Sequence, residues 1–455
     1  MRLPDGPKSS PLLQQIQWIA RPLDFLETST QRYGDPFTAR LGGLEIVFIG
    51  DPEANRSIFT AGPEQFDSGQ ANVILRPLLG DHSLILLDGD RHQRQRRLLM
   101  PPFHGDRMRA YGQLICQVTK QVVGHWQIGQ PFSVRTSMQE ITLRVILQAV
   151  FGLQEGTRYE QLRQLLGSML DSIGSRLSSS LLFFQTLQRD FGPWSPWGRF
   201  LRQRQQVDQL IYAEIQERRQ QPDPSRTDIL TLLMTARDEA GQPMTDIELR
   251  DELMTLLVAG HETTASALTW ALYWVHHLPE VQEKLRSELE ACGPNPNSPE
   301  AIARLPYLTA VCQETLRIYP VAMLAFPRVV KLPLQLLGYE FAPGTPLAPC
   351  IYMTHHREDL YPNPKQFRPE RFLERQYLGY EYLPFGGGDR RCIGLAFAQF
   401  EMKLVLATVL AHYQLALVDK HSVRPVRRGL TLAPSEGNWL VATHQRQPQA
   451  ARVPV

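Results

Sequence analysis

Apolar residues recur every three to four positions through most of the stretch from about residue 91 to residue 316. That period predicts helices over Met108–Trp126, Ser137–Phe151, Tyr159–Leu182, Pro196–Gln220, Thr227–Ala240 and Thr245–His277, with Pro and Gly marking most breaks. Before it, Ile16–Tyr33 reads as a helix, and Phe37–Ile49 alternates as a strand pair turning at Gly42 and Gly43. From Ala325 the pattern changes to short strand-like pieces between Gly and Pro, such as Leu334–Tyr339, up to about Leu373. A last helix is expected over Leu395–His412 and a terminal hairpin over Gly429–Val441, followed by a polar, frayed tail from Gln445. The fold class is therefore mainly α with small β-sheets. One large domain spans 1–455, helical at 91–316 and 395–412 and strand-rich near 37–60, 325–373 and 423–444. No internal repeat is visible, and Gly386-Gly387-Gly388 falls outside any dinucleotide-binding glycine pattern.

Composition narrows the function more than the fold. With 43% hydrophobic residues and 48 Lys+Arg against 46 Asp+Glu over 455 residues, the net charge is only +2, which excludes a disordered polyelectrolyte and argues against nucleic acid as a partner. The five cysteines, Cys116, Cys292, Cys312, Cys350 and Cys392, are odd in number and form no C-x-x-C pair, so a reducing compartment fits and a zinc module does not. Prolines at 4, 7 and 11 interrupt the place where a secretion signal needs an unbroken apolar run. Leu253–Val275 is long enough to span a bilayer, yet its middle carries Gly260, His261, Glu262, Thr263, Thr264 and Ser266. A helix buried in a large protein core is the preferred reading.

The most informative segment is Phe385 to Gly394, F-G-G-G-D-R-R-C-I-G. Three glycines clear side chains where something flat must approach the backbone. Cys392 sits just ahead of a helix N-terminus, beside Arg390 and Arg391, where a thiolate is favoured and can ligate a metal. The other four cysteines read as inert, buried small side chains. Phe385, Gly388, Arg390, Cys392 and Gly394 match the F-x-x-G-x-R-x-C-x-G signature, and here the chain resembles the cytochrome P-450 superfamily of haem-thiolate monooxygenases. The resemblance implies that Cys392 is the axial ligand of the haem iron, that Phe385 shields the sulfur, that Gly386 and Gly394 belong to the haem-binding loop, and that Arg390 binds a haem propionate. A thiolate ligand pushes electron density toward O–O cleavage.

On the predicted central helix, Ala259-Gly260-His261-Glu262-Thr263-Thr264 places small residues one turn before two threonines. A mid-helix Thr can take a carbonyl one turn back and open local space. The segment resembles the family's A-G-x-[DE]-T-T motif, which implies that Thr263 and Glu262 deliver protons and that Ala259 and Gly260 line the haem. His261-Glu262 also begins an H-E-x-x-H zinc motif, but Ala265 occupies the second histidine position and that reading fails.

Supporting residues follow in family order. Glu314 and Arg317 form an E-x-x-R pair, a spacing that also occurs at Glu53/Arg56, Glu155/Arg158, Glu160/Arg163 and Glu283/Arg286. Its position upstream of Pro369-Glu370-Arg371-Phe372 implies a structural triad of Glu314, Arg317 and Arg371. In the run from Asp88 to Arg97, His92 and Arg96 share one helical face while Arg91, Arg94 and Arg97 fan over another. The first face resembles the family's W-x-x-x-R propionate clamp, with His92 in the Trp position. The second is either solvated surface or a dock for an acidic electron donor. His356 and Arg328 are further propionate candidates, although Arg328 lies one residue off the expected spacing.

The resemblance walls the substrate pocket with the loop from Asn72 to Leu86, including Ile74, Leu75 and Arg76. Phe183 and Phe184, Ala259, then Val321, Met323 and Leu324, and Ser435 complete it. The lining is largely apolar, and Arg76 is the one nearby cation, which either orients a carboxylate or is a plain surface arginine. The expected activity is insertion of one oxygen atom from O2 into an apolar substrate such as a fatty acid, terpenoid or retinoid-like molecule. The expected cofactor is haem b (iron protoporphyrin IX). Electrons would come from NAD(P)H only indirectly, through a separate ferredoxin and ferredoxin reductase. The overall look is closest to soluble bacterial members, a cyanobacterial group among them, and implies a cytoplasmic monomer without a membrane anchor. Two alternatives stay open, a peroxygenase or isomerase acting on a lipid hydroperoxide and a non-catalytic haem-binding sensor.

Overall fold

The longest helix is built around local signals at its start and burial along its length. Thr245 caps it and Glu248 reaches back to the Thr245 backbone, a reciprocal capping box, and the 32 residues Asp246–His277 that follow are mostly buried over the stretch that could have passed for a membrane span, with an opening around Ala259. The computed structural model describes residues 3–103, 105, 107–174, 188–291, 298–419, 423–435 and 438–446. Phe183, Phe184, Cys292, the end of the predicted Tyr159–Leu182 helix and the tail from residue 447 lie outside the described residues.

In chain order the described helices are α1 (Pro11–Ala20), α2 (Pro22–Tyr33), α3 (Pro52–Thr60), α4 (Arg76–Leu79), α5 (Gly89–Leu99), α6 (Arg107–Val123), α7 (Val134–Phe151) and α8 (Thr157–Gly174). They continue as α9 (Pro196–Gln220), α10 (Ile229–Thr235), α11 (Asp246–His277), α12 (Pro279–Glu290), α13 (Pro299–Ala303), α14 (Pro306–Ile318), α15 (Ile351–His355), α16 (Arg371–Glu374) and α17 (Leu395–His412). The strands are β1 (Phe37–Leu41), β2 (Leu44–Ile49), β3 (Phe66–Asp67), β4 (Pro131–Ser133), β5 (Arg328–Val330), β6 (Leu334–Leu336), β7 (Tyr339–Phe341), β8 (Pro346–Pro349), β9 (Tyr413–Leu417), β10 (Pro425–Arg428), β11 (Thr431–Pro434) and β12 (Trp439–Gln445). They pair as a five-stranded sheet in the order β1-β2-β8-β5-β3, a three-stranded sheet β4-β12-β9, and the two hairpins β6-β7 and β10-β11.

The main core is helical. α11 packs on α7 and on α17, and α17 packs on α6. α17 carries apolar residues on every face, interrupted by Gln399, Glu401 and Lys403, as expected of a helix largely enclosed by others. It is the one described helix long and apolar enough to cross a membrane by length and composition, and just over half of it is buried, at 56%. A second cluster joins α2 to the β1-β2 hairpin and to Met323, Tyr352 and Met353. That hairpin turns at Gly42 (φ 60°) and Gly43 (φ 82°), both in the left-handed region that a two-residue turn requires.

Several predicted boundaries move, each for a local reason. Ile16–Tyr33 is two helices, because Pro22 cannot donate to α1 and instead opens α2. The strand-rich region near 37–60 ends in helix α3, which Asp51 caps through the Ala54 N–H. Leu334–Tyr339 is not one strand but the start of the β6-β7 hairpin, reversed at Leu337 and Gly338. Gly429–Val441 is not a hairpin either. β11 turns back onto β10 at Gly429, while β12 pairs with β9 and β4. Thr227–Ala240 keeps helix only over α10, and Asp238 beyond it closes a turn by accepting from the N–H groups of Ala240 and Gln242.

Candidate active site

Cys392 is fixed by backbone. Its N–H donates to the Phe385 carbonyl at 3.0 Å, which closes the loop and sets the cysteine two residues ahead of Gly394, the N-cap of α17. The residue is exposed, whereas the helix it introduces runs into the core. The residue as a whole keeps exposed surface, while protein packs closely around its sulfur. That surrounding desolvates it and pushes the thiol up, against the opposing pull of the Gly394 N–H, Arg96 and Arg391. The Gly394 N–H and the two arginines thus supply the pull toward a thiolate that the loop was expected to give, and a bound metal cation would add to it.

The glycines also do something other than expected. A Cβ on Gly387 would lie 2.4 Å from the Phe59 ring, and one on Gly388 would lie 2.3 Å from the Phe59 carbonyl oxygen. These two positions are cleared for α3. Only Gly386, whose nearest neighbour to an added Cβ is Ala325 at 3.8 Å, keeps the space first assigned to the whole triplet.

Around the loop the structure gathers His92, Arg96, Arg328 and Arg390. Arg390 donates to Asp88 at 2.6 Å and to the Leu84 carbonyl at 3.4 Å. Arg328 is buried, donates to the Phe326 carbonyl at 2.7 Å and lies 3.7 Å from Asp389. Burial pushes the imidazole of His92 down to about 4 and the guanidinium of Arg328 down to about 10, and it lowers Arg96 and Arg390 as well. Neither His92 nor Arg96 has a hydrogen bond or ion pair from its side chain among the described residues. Asp88 and Asp389 are the carboxylates facing this group, and Asp88 is also engaged by the Ser68 and Gly69 N–H groups. Three desolvated guanidiniums and an unpartnered imidazole therefore fit a planar group with two carboxylates beside an exposed cysteine. A haem with its propionates has that chemistry.

On α11, Ala259 alone is exposed among residues 249–277, and Thr263 donates its hydroxyl to the Ala259 carbonyl at 2.5 Å. Gly260 does not share this opening. A Cβ there would meet Ile146 of α7 at 2.9 Å, so the glycine serves a helix crossing. Glu262 also turns to α7, ion-paired with Arg135 and accepting from Gln139 at 3.2 Å. Buried His261 meets Thr142 at 2.9 Å. Arg135 and Gln139 are thus parts of the site that the sequence motif did not reveal. The i, i+4 spacing of Arg135 and Gln139 was the only available signal, and the other polar residues of α7 obscure it.

The loop ahead of α5 is tied to α11 from below. The His82 N–H donates to Asp251 at 2.9 Å, Thr255 donates to Ser83 at 2.7 Å, and Arg250 donates to the Leu79 carbonyl at 3.3 Å. Glu252 is fully buried beside the Leu84 N–H, and that burial holds its carboxyl well above the usual range.

Glu314, Arg317 and Arg371 meet as expected. Glu314 accepts from Arg317 at 2.7 and 2.9 Å, from Arg371 at 3.1 Å and from the Arg368 N–H at 2.9 Å, all in the core. Other expectations are corrected. His356 stacks at 3.9 Å on Tyr352, whose hydroxyl donates to Glu27 of α2, so it faces away from the cysteine loop. Arg76 is exposed and paired with Asp81 at 2.9 Å, a surface arginine. Met323 is buried in the cluster around α2 and Leu324 packs against the same cluster, while Ala322 is the exposed residue of that segment. Ser435 accepts from the Arg424 N–H at 3.1 Å. Leu75 lies in the main core, Ile74 packs against it, and Val321 accepts from the Leu432 N–H at 2.8 Å. Arg94 binds Asp238 and Glu248, and exposed Arg97 binds Glu239, which leaves Arg91 as the exposed guanidinium of that face without an ion pair among the described residues.

The model of the family described as cytochrome P-450 matches residues 4–441. The chain belongs to the cytochrome P-450 family. Relatives named as cytochrome P-450 135B1 of Mycobacterium tuberculosis are 36% identical over 439 residues, covering 96% of this chain and 90% of the relative. Cytochrome P-450 138 of Mycobacterium bovis is 35% identical over 443 residues, covering 97% and 96%. Among solved structures, a cyanobacterial CYP120A1 with retinoic acid bound is 27% identical with a TM-score of 0.84, covering 98% of this chain and all of that one. The P-450 assignment makes the chain a haem-thiolate monooxygenase and gives the accessible cysteine its family context.

Proposed function

We propose that this P-450 inserts one oxygen atom from O2 into a C–H bond of an apolar substrate, a fatty acid, terpenoid or retinoid-like molecule, with electrons from a separate ferredoxin and its reductase. The observation that carries the reading is the Thr263 hydroxyl turned onto the carbonyl of Ala259, the one exposed residue of α11 between residues 249 and 277. Haem b bound through Cys392 supplies dioxygen binding and O–O cleavage. Arg96, Arg328 and Arg390, with His92, hold its propionates. Phe385 limits water at the sulfur. Thr263 holds a proton at its Oγ, and Glu262, kept on α7 by Arg135 and Gln139, exchanges protons with the interior when it swings toward Thr263. Glu314, Arg317 and Arg371 maintain the fold around the cysteine loop.

An apolar pocket agrees with the leucine-rich loop after Asn72, and the retinoic acid bound by the cyanobacterial relative supports a long apolar substrate. The four described cysteines are free, which agrees with a cytoplasmic protein. A monomer is the assembly proposed. The threonine and acid on α11 favour this reading over a peroxygenase, an isomerase or a sensor, none of which needs a proton relay.

Thr263→Ala tests it. With ferredoxin and reductase supplied, the variant should retain haem and its carbon monoxide difference spectrum but divert NAD(P)H consumption from product to peroxide. Coupling equal to wild type removes the role given to Thr263. A panel of fatty acids, sesquiterpenes and retinoids scored by the haem spin-state shift identifies the substrate class.

A further inference from the structure

A cavity of about 550 Å³ lies between the start of α2, the end of α14 and the β10-β11 hairpin, and it shares no lining residue with the cysteine loop or α11. That size is in the range of clefts that enclose small molecules, about 300–1,000 Å³. Its floor is apolar and aromatic: Leu23, Ile318, Tyr319 and Tyr352 line it, with the His356 ring stacked on Tyr352.

The charges around it do not cancel. Glu27 is engaged on both oxygens, by the Tyr352 hydroxyl at 2.6 Å and by Lys365 at 2.7 Å. Burial keeps the His356 imidazole neutral, pushed down to about 3, and the Tyr319 phenol neutral, pushed up to about 12. Arg21 and Arg424 also line the cavity and are exposed. Neither guanidinium has a hydrogen bond or ion pair among the described residues. Asp24 is the one remaining anion among the described lining residues. Those residues thus offer one positive charge in excess, two fork-shaped donors at the rim and an apolar floor.

We propose that this cleft binds an apolar monocarboxylate, such as an alkanoic acid, with its carboxylate between Arg21 and Arg424 and its chain laid over Tyr319, Tyr352 and Leu23. Guanidinium suits a carboxylate because its paired N–H groups match the two oxygens, and a single excess charge suits a monoanion rather than a phosphate dianion. An occupant touches the back of the wall that fronts the catalytic side. Tyr319 lies 4.4 Å from Trp270 of α11 and leads into Val321, which bonds to β11. The inference does not depend on which substrate is oxidised.

Equilibrium dialysis of the haem-loaded full chain with radiolabelled decanoate tests it, with the Soret spin-state shift counting any decanoate at the haem. The expected result is a bound equivalent beyond those the Soret shift counts. Its affinity should fall about tenfold or more in R21Q/R424Q, where both forks are lost. It should fall equally for methyl decanoate as competitor, and in Val426→Trp, where the cleft is filled and the arginines are kept. The Soret midpoint should stay unchanged in both variants. The proposal is overturned if the Soret shift accounts for every bound decanoate, including the case of no binding, or if the isotherms of both variants superimpose on wild type.

Discussion

Placing a methyl group at Gly387 or Gly388 separates two accounts of the cysteine loop. If the glycines exist to admit a flat cofactor, Gly387→Ala should weaken haem binding and leave the apoprotein's stability alone. The structure says otherwise, because the added Cβ would lie 2.4 Å from the Phe59 ring, a side chain. Overpacking of this kind costs about 1–3 kcal/mol. Phe59 is itself 5% exposed and packed in a core cluster, so Phe59→Ala costs about 3–5 kcal/mol. The double variant Phe59→Ala/Gly387→Ala should cost little more than Phe59→Ala alone, a coupling of about 1–3 kcal/mol. Gly388 is the internal control. Its φ is +66° and its added Cβ would lie 2.3 Å from the Phe59 carbonyl oxygen, which truncating the ring cannot move. Gly388→Ala should therefore cost about 2–5 kcal/mol from left-handed strain and overpacking together, with coupling to Phe59→Ala within about 0.5 kcal/mol. Urea midpoints at a common m-value, measured on apoprotein and haem-loaded protein, give all the terms. Equal coupling at both glycines, or a Gly387→Ala effect confined to haem affinity, refutes the reasoning.

Glu314→Ala leaves the guanidiniums of Arg317 and Arg371 buried without their shared carboxylate. The loss should be about 3–5 kcal/mol, and a urea midpoint within error of wild type would contradict the triad. Acid sensitivity should be carried in part by His276, whose imidazole burial pushes down to about 4. The unfolded chain protonates first as pH falls below the ordinary value near 6.5, so stability drops from there toward pH 4, at up to about 1.4 kcal/mol per pH unit for this group. His276→Gln should flatten that limb between pH 6.5 and 5 relative to wild type, and an unchanged slope in pH-dependent urea titrations would exclude the assignment.

The helical core was legible because its amphipathic runs were long and well punctuated: α9 and α17 carry the residues expected of them, and α11 differs by its cap alone. Short strands were less so. Leu334–Tyr339 hid a reversal at Gly338, and the pairing of β12 with β9 and β4 is a long-range choice that no local pattern encodes. Within the site, Cys392, Thr263 and the Glu314 triad were visible because each sits in a spaced motif. Arg135, Gln139 and Phe59 were not, since each contributes by reaching a partner distant in sequence. His356 and Arg328 show the same limit from opposite sides. Neighbouring residues in sequence gave both a role near haem, and packing sent one to α2 and the other to the cysteine loop.

The ties beneath the loop before α5 bear on how such an enzyme diversifies. Three of them end on main-chain atoms, the His82 N–H and the carbonyls of Leu79 and Leu84. A main-chain anchor is indifferent to the side chain that decorates it. Leu84, Ile85 and Leu86 can therefore be exchanged for other apolar residues of similar bulk without loosening the scaffold, whereas Ser83, Asp251 and Thr255 anchor through their own side chains and must stay. With this loop walling the substrate pocket as proposed above, drift in substrate preference, natural or directed, would run through the first set and be purged from the second, so selectivity could be relearned without refolding the enzyme.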